Sequence, residues 1–60
     1  MDKKETYLWW CETIINEGRH ISKWEENFTQ EMQEHLETRG TITEKQAEIL
    51  ERIYVEKTPN

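Results

Sequence analysis

Capping patterns at the starts of periodic segments constrain the fold of this chain more than any other feature. Ser22 precedes Glu25 by three residues, and Thr43 precedes Gln46 by three. In such a capping box the hydroxyl accepts a hydrogen bond from the backbone N–H three residues on, and that residue's side chain reaches back to the cap. Each box stands directly before a stretch with helical periodicity. The two boxes therefore predict the starts of two helices.

Two glycines, Gly18 and Gly40, separate three segments of similar length. Glycine adopts the left-handed conformation that commonly ends a helix, and we expect both glycines to do so. Asp2, with Glu5 three residues later, is the predicted cap of the first segment. The predicted helices cover approximately residues 3–17, 23–39 and 44–56.

The length of the chain allows one small domain. It has 60 residues, of which 33% are apolar and 35% are charged. A chain of this size has a single core. Loops of about four residues between helices of about fifteen are typical of a helical bundle. We therefore predict an all-α, compact three-helix bundle that forms one domain over residues 1–57, with 58–60 as a frayed C-terminal tail.

The apolar side chains of each segment fall on one broad helical face. In the second segment they recur at four-residue spacing from Trp24 to Leu36, which is typical of an amphipathic helix. Trp9 points away from the apolar face of the first segment, unless that helix packs so that Trp10 is exposed instead. The predicted core consists of Tyr7, Leu8, Trp10, Cys11, Ile14, Ile15, Ile21, Trp24, Phe28, Met32, Leu36, Ile42, Ala47, Leu50, Ile53 and Tyr54.

The residue types that carry chemistry are few and scattered. Cys11 is the single cysteine, so the chain cannot form an internal disulfide. Glu31 and His35 are one helical turn apart, but they supply two ligands where a structural zinc site needs four. Nothing in the sequence positions His20 as a base for Cys11. We therefore expect no catalytic, cofactor-binding or metal-binding residues.

The charge balance bears on partners and location. Eight Lys and Arg stand against thirteen Asp and Glu, for a formal net charge of -5. This charge opposes binding to phosphate backbones and to anionic membranes. No run approaches the ~20 apolar residues of a membrane span, and the four from Tyr7 to Trp10 are too few for a signal-peptide core. We expect a cytoplasmic protein without a membrane partner.

Two sequence features, a run of glutamates and an exposed tryptophan, are not required for a helical bundle to fold. Five glutamates and no Lys or Arg lie between residues 25 and 37, which suits either a solvated face or a surface that meets a basic partner. An exposed tryptophan such as Trp9 is favoured as an interface anchor. Arg39 and Lys45 are weaker candidates for nucleic-acid contact. The candidate partner-binding residues are Trp9, Glu26, Glu34 and Glu37.

The stretch from Trp24 to Ile53 contains a Trp–Phe pair, an Arg-Gly turn and a Thr-Glu-Lys-Gln cap followed by an Ile-Leu-x-x-Ile period. It resembles the UvsW.1 type of small helical domain of tailed phages, the companion of the T4-type recombination helicase. The resemblance implies a phage protein in the infected bacterial host, tied to DNA replication or recombination and acting by contact. It implies a protein partner such as a helicase or nuclease complex, and it brings no catalytic residue.

Three hypotheses about function remain open. The first is a small non-catalytic interaction module that binds a component of DNA replication or recombination machinery. The second is an acidic inhibitor that occupies the basic nucleic-acid-binding channel of a host nuclease or immunity complex. The third is a weak single-strand binder that stacks bases on tryptophan. A helix-turn-helix DNA reader is disfavoured because the third segment is acidic overall. The oligomeric state is open.

Overall fold

The computed structural model describes residues 3–59 and contains three α-helices with no strand in that range. Helix α1 covers Lys3–Glu17, helix α2 covers Lys23–Arg39 and helix α3 covers Glu44–Lys57. The all-α prediction is confirmed, and α3 runs one residue beyond its predicted end. The predicted cap Asp2 lies outside the described residues.

Two of the three predicted capping patterns, those of Ser22 and Thr43, lie within the described residues, and both form a capping box. The Ser22 hydroxyl accepts a hydrogen bond from the Glu25 N–H at 3.1 Å, and Glu25 Oε1 accepts one from the Ser22 N–H at 2.9 Å. Thr43 and Gln46 make the same two bonds at 3.1 and 3.0 Å. Each box satisfies donors that the first turn of a helix leaves unpaired. The starts of α2 and α3 are therefore determined by local sequence.

The end of α3 is closed by Thr58. Its backbone N–H donates to the Tyr54 carbonyl oxygen at 3.3 Å, and its hydroxyl donates to the same oxygen. The Tyr54 carbonyl oxygen thus accepts its i to i−4 backbone hydrogen bond and a second hydrogen bond from the Thr58 hydroxyl.

Helix α1 packs closely against both other helices, whereas α2 and α3 touch each other less. Helix α2 has 17 residues and is roughly 26 Å long. The longest dimension of the molecule is 28 Å, so the bundle is one helix in length. The buried core consists of Cys11, Ile14, Met32, Leu36, Leu50 and Ile53. Half-buried side chains packed on it are Tyr7, Leu8, Trp10, Ile21, Phe28, Ile42, Ile49 and Tyr54.

Trp24 was predicted in the core, but 60% of its surface is exposed. The core-facing side of α2 is centred on Thr29, Met32 and Leu36, which are buried. Each four-residue step advances about 40° around a helix, so a stripe with that spacing drifts away from a straight core face. Trp24 begins the stripe and is turned toward solvent, where its ring stacks on Phe28 with 5.2 Å between centroids.

Ile15 is the second core prediction that is wrong, since it is 44% exposed. Cys11 and Ile14 are buried and set the direction in which α1 faces the core. Ile15 follows Ile14 and is therefore rotated about 100° from it around the helix. That rotation places Ile15 on the flank of α1.

The loop between α1 and α2 corrects the prediction for one of the two glycines. Gly40 is left-handed as expected, with φ 81°, but the left-handed residue of the first loop is His20, with φ 58°. Position 18 instead requires glycine because there is no room there for a side chain. A Cβ atom at Gly18 would collide with the carbonyl oxygen of Ile14 and with the Cδ1 atom of Ile21.

Lys57 connects the end of α3 to the first loop and to the start of α2. Its carbonyl oxygen accepts a hydrogen bond from the Arg19 N–H at 2.7 Å. Its Nζ donates to the His20 carbonyl oxygen at 3.4 Å and lies 3.9 Å from Glu25 Oε1. These contacts hold the three helices together at one end of the bundle.

Candidate partner-binding site

The glutamates that the sequence singles out lie on the outer face of α2. Glu26, Glu34 and Glu37 are all exposed. Glu26 and Glu34 are eight residues apart, about 2.2 turns, and Glu37 is almost one turn further on, so the three residues lie within about 80° of one another around the helix. No Lys or Arg lies between residues 24 and 38. We call this surface, defined by Glu26, Glu34 and Glu37, the acidic outer face of α2.

Within residues 3–59, the ion pair of the fold joins Lys57 to Glu25, at the start of α2. The acidic outer face is therefore presented to solvent without a cation from the described part of the chain. Carboxylates in that position attract a basic surface and repel phosphates.

Trp9 is the exposed tryptophan of α1, and Trp10 is half-buried. Trp9 is 56% exposed, and its ring lies 5.5 Å from the ring of Tyr54 between centroids. The ring of Trp10, the next residue, also stacks on Tyr54, with 5.7 Å between centroids and an interplanar angle of 25°. Tyr54 belongs to α3, so the ring contacts of Trp9 lead to α3 and not to α2. The predicted partner-binding residues are therefore split between two surfaces.

Sequence reasoning placed Tyr54 in the core and did not connect it with Trp9. The two residues lie on the first and last helices, and helical periodicity carries no information about which flanks of distant helices meet. Tyr54 nevertheless fixes the Trp9 ring against the bundle. The pair forms an aromatic seam between α1 and α3.

Arg39 and Lys45, the weaker nucleic-acid candidates, are both exposed near the loop between α2 and α3. Arg39 borders a hollow of about 230 Å³ that is also lined by His35 and loop residues 41–43. Lys45 is not among the residues that line this hollow, and Glu44 precedes it in the first turn of α3.

Cys11 is fully buried, and burial raises the pKa of its thiol to about 12, with a smaller contribution from the Glu37 carboxylate. Because the thiolate is the reactive form, the thiol is inert at neutral pH. Among residues 3–59, no three His, Cys, Asp or Glu side chains lie close enough to hold a metal ion. In the same range, none of the helices has the length and apolar character required to cross a bilayer.

No protein-family model, curated protein or solved structure matches this chain. Its function is therefore inferred from its own surfaces. Two are available: the acidic outer face of α2, and the seam between α1 and α3 around Trp9 and Tyr54.

Proposed function

We propose that the protein is a non-catalytic interaction module that binds a basic surface of a protein partner through the acidic outer face of α2. The resemblance to UvsW.1-type domains supports a partner in DNA replication or recombination machinery, in the cytoplasm of an infected bacterium. The observation that carries the proposal is the joint exposure of Glu26, Glu34 and Glu37 on a helix without Lys or Arg between residues 24 and 38.

The carboxylates on the acidic outer face of α2 indicate that the partner surface is basic. Proteins that handle nucleic acids present Lys and Arg to phosphate oxygens, and the same side chains form charge-assisted hydrogen bonds with carboxylates. A net charge of -5 steers the chain toward such a surface and away from DNA itself. The inert thiol of Cys11 supports a role in contact and not in catalysis.

The test is calorimetric titration of the full chain into a purified T4-type recombination helicase at several salt concentrations. We expect binding that weakens with salt. The combined substitution Glu26→Gln, Glu34→Gln and Glu37→Gln removes three charges from the proposed face. Its affinity should fall about 3- to 150-fold, since the loss of three exposed ion pairs at ~0.2–1 kcal/mol each costs ~0.6–3 kcal/mol.

The matched control changes Glu5, Glu12 and Glu17 to Gln. These three glutamates are exposed on α1, so the control has the same net charge as the α2 variant. It should bind like the wild-type chain. Equal losses in both variants would contradict the acidic outer face, and an absence of wild-type binding would contradict the helicase as partner.

Labelled DNA added to the same titration distinguishes accessory contact from inhibition. If the chain displaces DNA from its partner, it occupies the nucleic-acid channel, and the inhibitor hypothesis replaces the accessory one. If a ternary complex forms, the module binds elsewhere on the partner, as we propose.

A further inference from the structure

A groove runs between α1 and α3 beside Trp10. Its volume is about 330 Å³, and the rings of Tyr7 and Trp10 line it. The two rings lie 5.4 Å apart between centroids, and Trp10 is backed by Tyr54 at 5.7 Å. The groove therefore has an aromatic wall whose rings are held in place by one another.

Helix α3 supplies the opposite wall, which is acidic. Glu44, Glu48 and Glu51 line the groove, and all three are exposed. They follow one another at spacings of four and three residues, so they lie on one side of α3. Lys3 is the single cation among the lining residues.

Two of these carboxylates are also near a cation of their own helix. Arg52 lines an adjoining hollow of about 460 Å³ together with Glu48 and Glu51. Arg52 nevertheless forms no ion pair with either glutamate within residues 3–59, where the ion pair is between Lys57 and Glu25, at the other end of α3. Glu48 and Glu51 are therefore open to an incoming cation.

Aromatic faces and carboxylates at one groove select cations. The face of a tryptophan or tyrosine ring is the negative side of its quadrupole, and it attracts a guanidinium or ammonium group within about 6 Å. A phosphate would be repelled by the three carboxylates, and an apolar helix would bury them without partners. A planar guanidinium suits the groove best, because it stacks on a ring and binds a carboxylate through its edge.

We propose that the groove between α1 and α3 binds an extended, arginine-containing peptide segment of a protein partner. One guanidinium stacks on Trp10 and pairs with Glu48 or Glu51, and a second basic side chain reaches Glu44. In an extended peptide, alternate side chains project to the same side about 7 Å apart. Glu44 and Glu48 are separated by about 6 Å along the helix axis, which matches that repeat. This site is separate from the acidic outer face of α2 and does not depend on its function.

The probe is the blocked pentapeptide Gly-Arg-Gly-Arg-Gly, titrated into the full chain and followed by proton–nitrogen correlation spectra. The chain has three tryptophans, each with its own indole signal. We expect the indole signal of Trp10 to shift and that of Trp24, on α2, to stay in place. A peptide with citrulline at both arginine positions has the same shape without charge and should cause no shift.

Surface variants test the acidic wall without threatening the fold. The double substitution Glu48→Gln and Glu51→Gln should weaken binding about tenfold, because both carboxylate partners of the guanidinium are lost. Glu12→Gln with Glu31→Gln removes the same charge at two exposed positions that do not line the groove, and should leave the affinity unchanged. Lys3→Gln removes the opposing cation from the groove and should tighten binding.

Four results would overturn the proposal. They are equal losses in the two double variants, equal shifts with the citrulline peptide, a shift of Trp24 as large as that of Trp10, and no shift of Trp10 at millimolar peptide. An oligothymidine that shifts the Trp10 indole at low salt as strongly as the arginine peptide would assign the groove to base stacking instead.

Discussion

Thr29 is fully buried in α2, and its hydroxyl has no hydrogen-bond partner in the described part of the chain. A buried polar group without a partner is destabilising relative to an apolar group of the same shape. Valine replaces the hydroxyl with a methyl group. We expect Thr29→Val to raise the free energy of unfolding by about 1 kcal/mol, which corresponds to a Tm increase of about 4–8 °C for a domain of this size.

Thermal denaturation followed by circular dichroism measures this change. Thr29→Ser is the control, because it keeps the hydroxyl and deletes the methyl group, and it should be less stable than the wild type. If the valine variant melts below the wild type, the Thr29 hydroxyl has a partner that stabilises the fold.

Trp24 shows how far a residue's type can mislead about its energetic role. The side chain is mostly exposed and its main aromatic contact is the stack on Phe28. Trp24→Ala should therefore reduce stability less than a core truncation does, because it loses only the buried part of the ring and the aromatic pair, which is worth ~0.5–1.5 kcal/mol beyond burial. Leu36→Ala, at a fully buried position, should reduce it by ~2–5 kcal/mol. Urea denaturation of the two variants gives the comparison, and equal losses would refute the surface position of Trp24.

At the scale of single elements, the sequence predicts those helix boundaries that are determined by interactions between neighbouring residues. The starts of α2 and α3 follow from the Ser22 and Thr43 boxes, in which all the partners lie within three residues of one another. The conformation of the first loop was not predicted, because it depends on contacts between elements. His20 takes the left-handed position while Gly18 packs against Ile21.

The first loop yields a prediction of its own. Gly18→Ala places a methyl group against the Ile14 carbonyl and the Ile21 side chain, so we expect a loss of ~1–3 kcal/mol from overpacking. His20→Gly removes a side chain from a left-handed residue and should stabilise the fold by up to ~1 kcal/mol. Chemical denaturation measures both. Opposite signs at the two positions are expected, and a stabilising alanine at Gly18 would contradict the collision.

At the scale of the whole molecule, the candidate site was only partly predictable. The exposure of Glu26, Glu34 and Glu37 follows from the periodicity of one helix. The seam that joins Trp9 to Tyr54 depends on which flanks of α1 and α3 meet, and a single sequence contains no such information. For the same reason, the groove beside Trp10 became visible only in the folded chain.

The hydrogen bond from the Ser22 N–H to the Glu25 carboxyl makes part of the stability depend on pH. The Ser22 N–H, and to a lesser extent the Ser22 hydroxyl and Lys57, lower the pKa of the Glu25 carboxyl from 4.5. A lowered pKa in the folded state stabilises the fold above the unfolded pKa, and the gain is lost as pH falls through the folded pKa. Glu25→Gln keeps an acceptor for the Ser22 N–H and removes the charge.

We therefore expect Glu25→Gln to melt below the wild type at about pH 7 and to approach it as the pH falls below 4.5 and through the lowered pKa of the folded state. Melting curves across this range provide the measurement. Glu26→Gln, at the next and exposed position, removes the same charge outside the capping box and is the control. A constant difference between Glu25→Gln and the wild type at all pH values would exclude the charge as the cause.

The central position of α1 has a consequence for any attempt to divide the molecule. Residues 24–53 span nearly all of α2 and most of α3, the two helices that touch least. A fragment with only these helices lacks α1, against which both of them pack, and should be largely unstructured by circular dichroism. A synthetic peptide of residues 1–18, supplied in trans, should restore its helicity. A fragment that is already folded alone would show that α1 is dispensable.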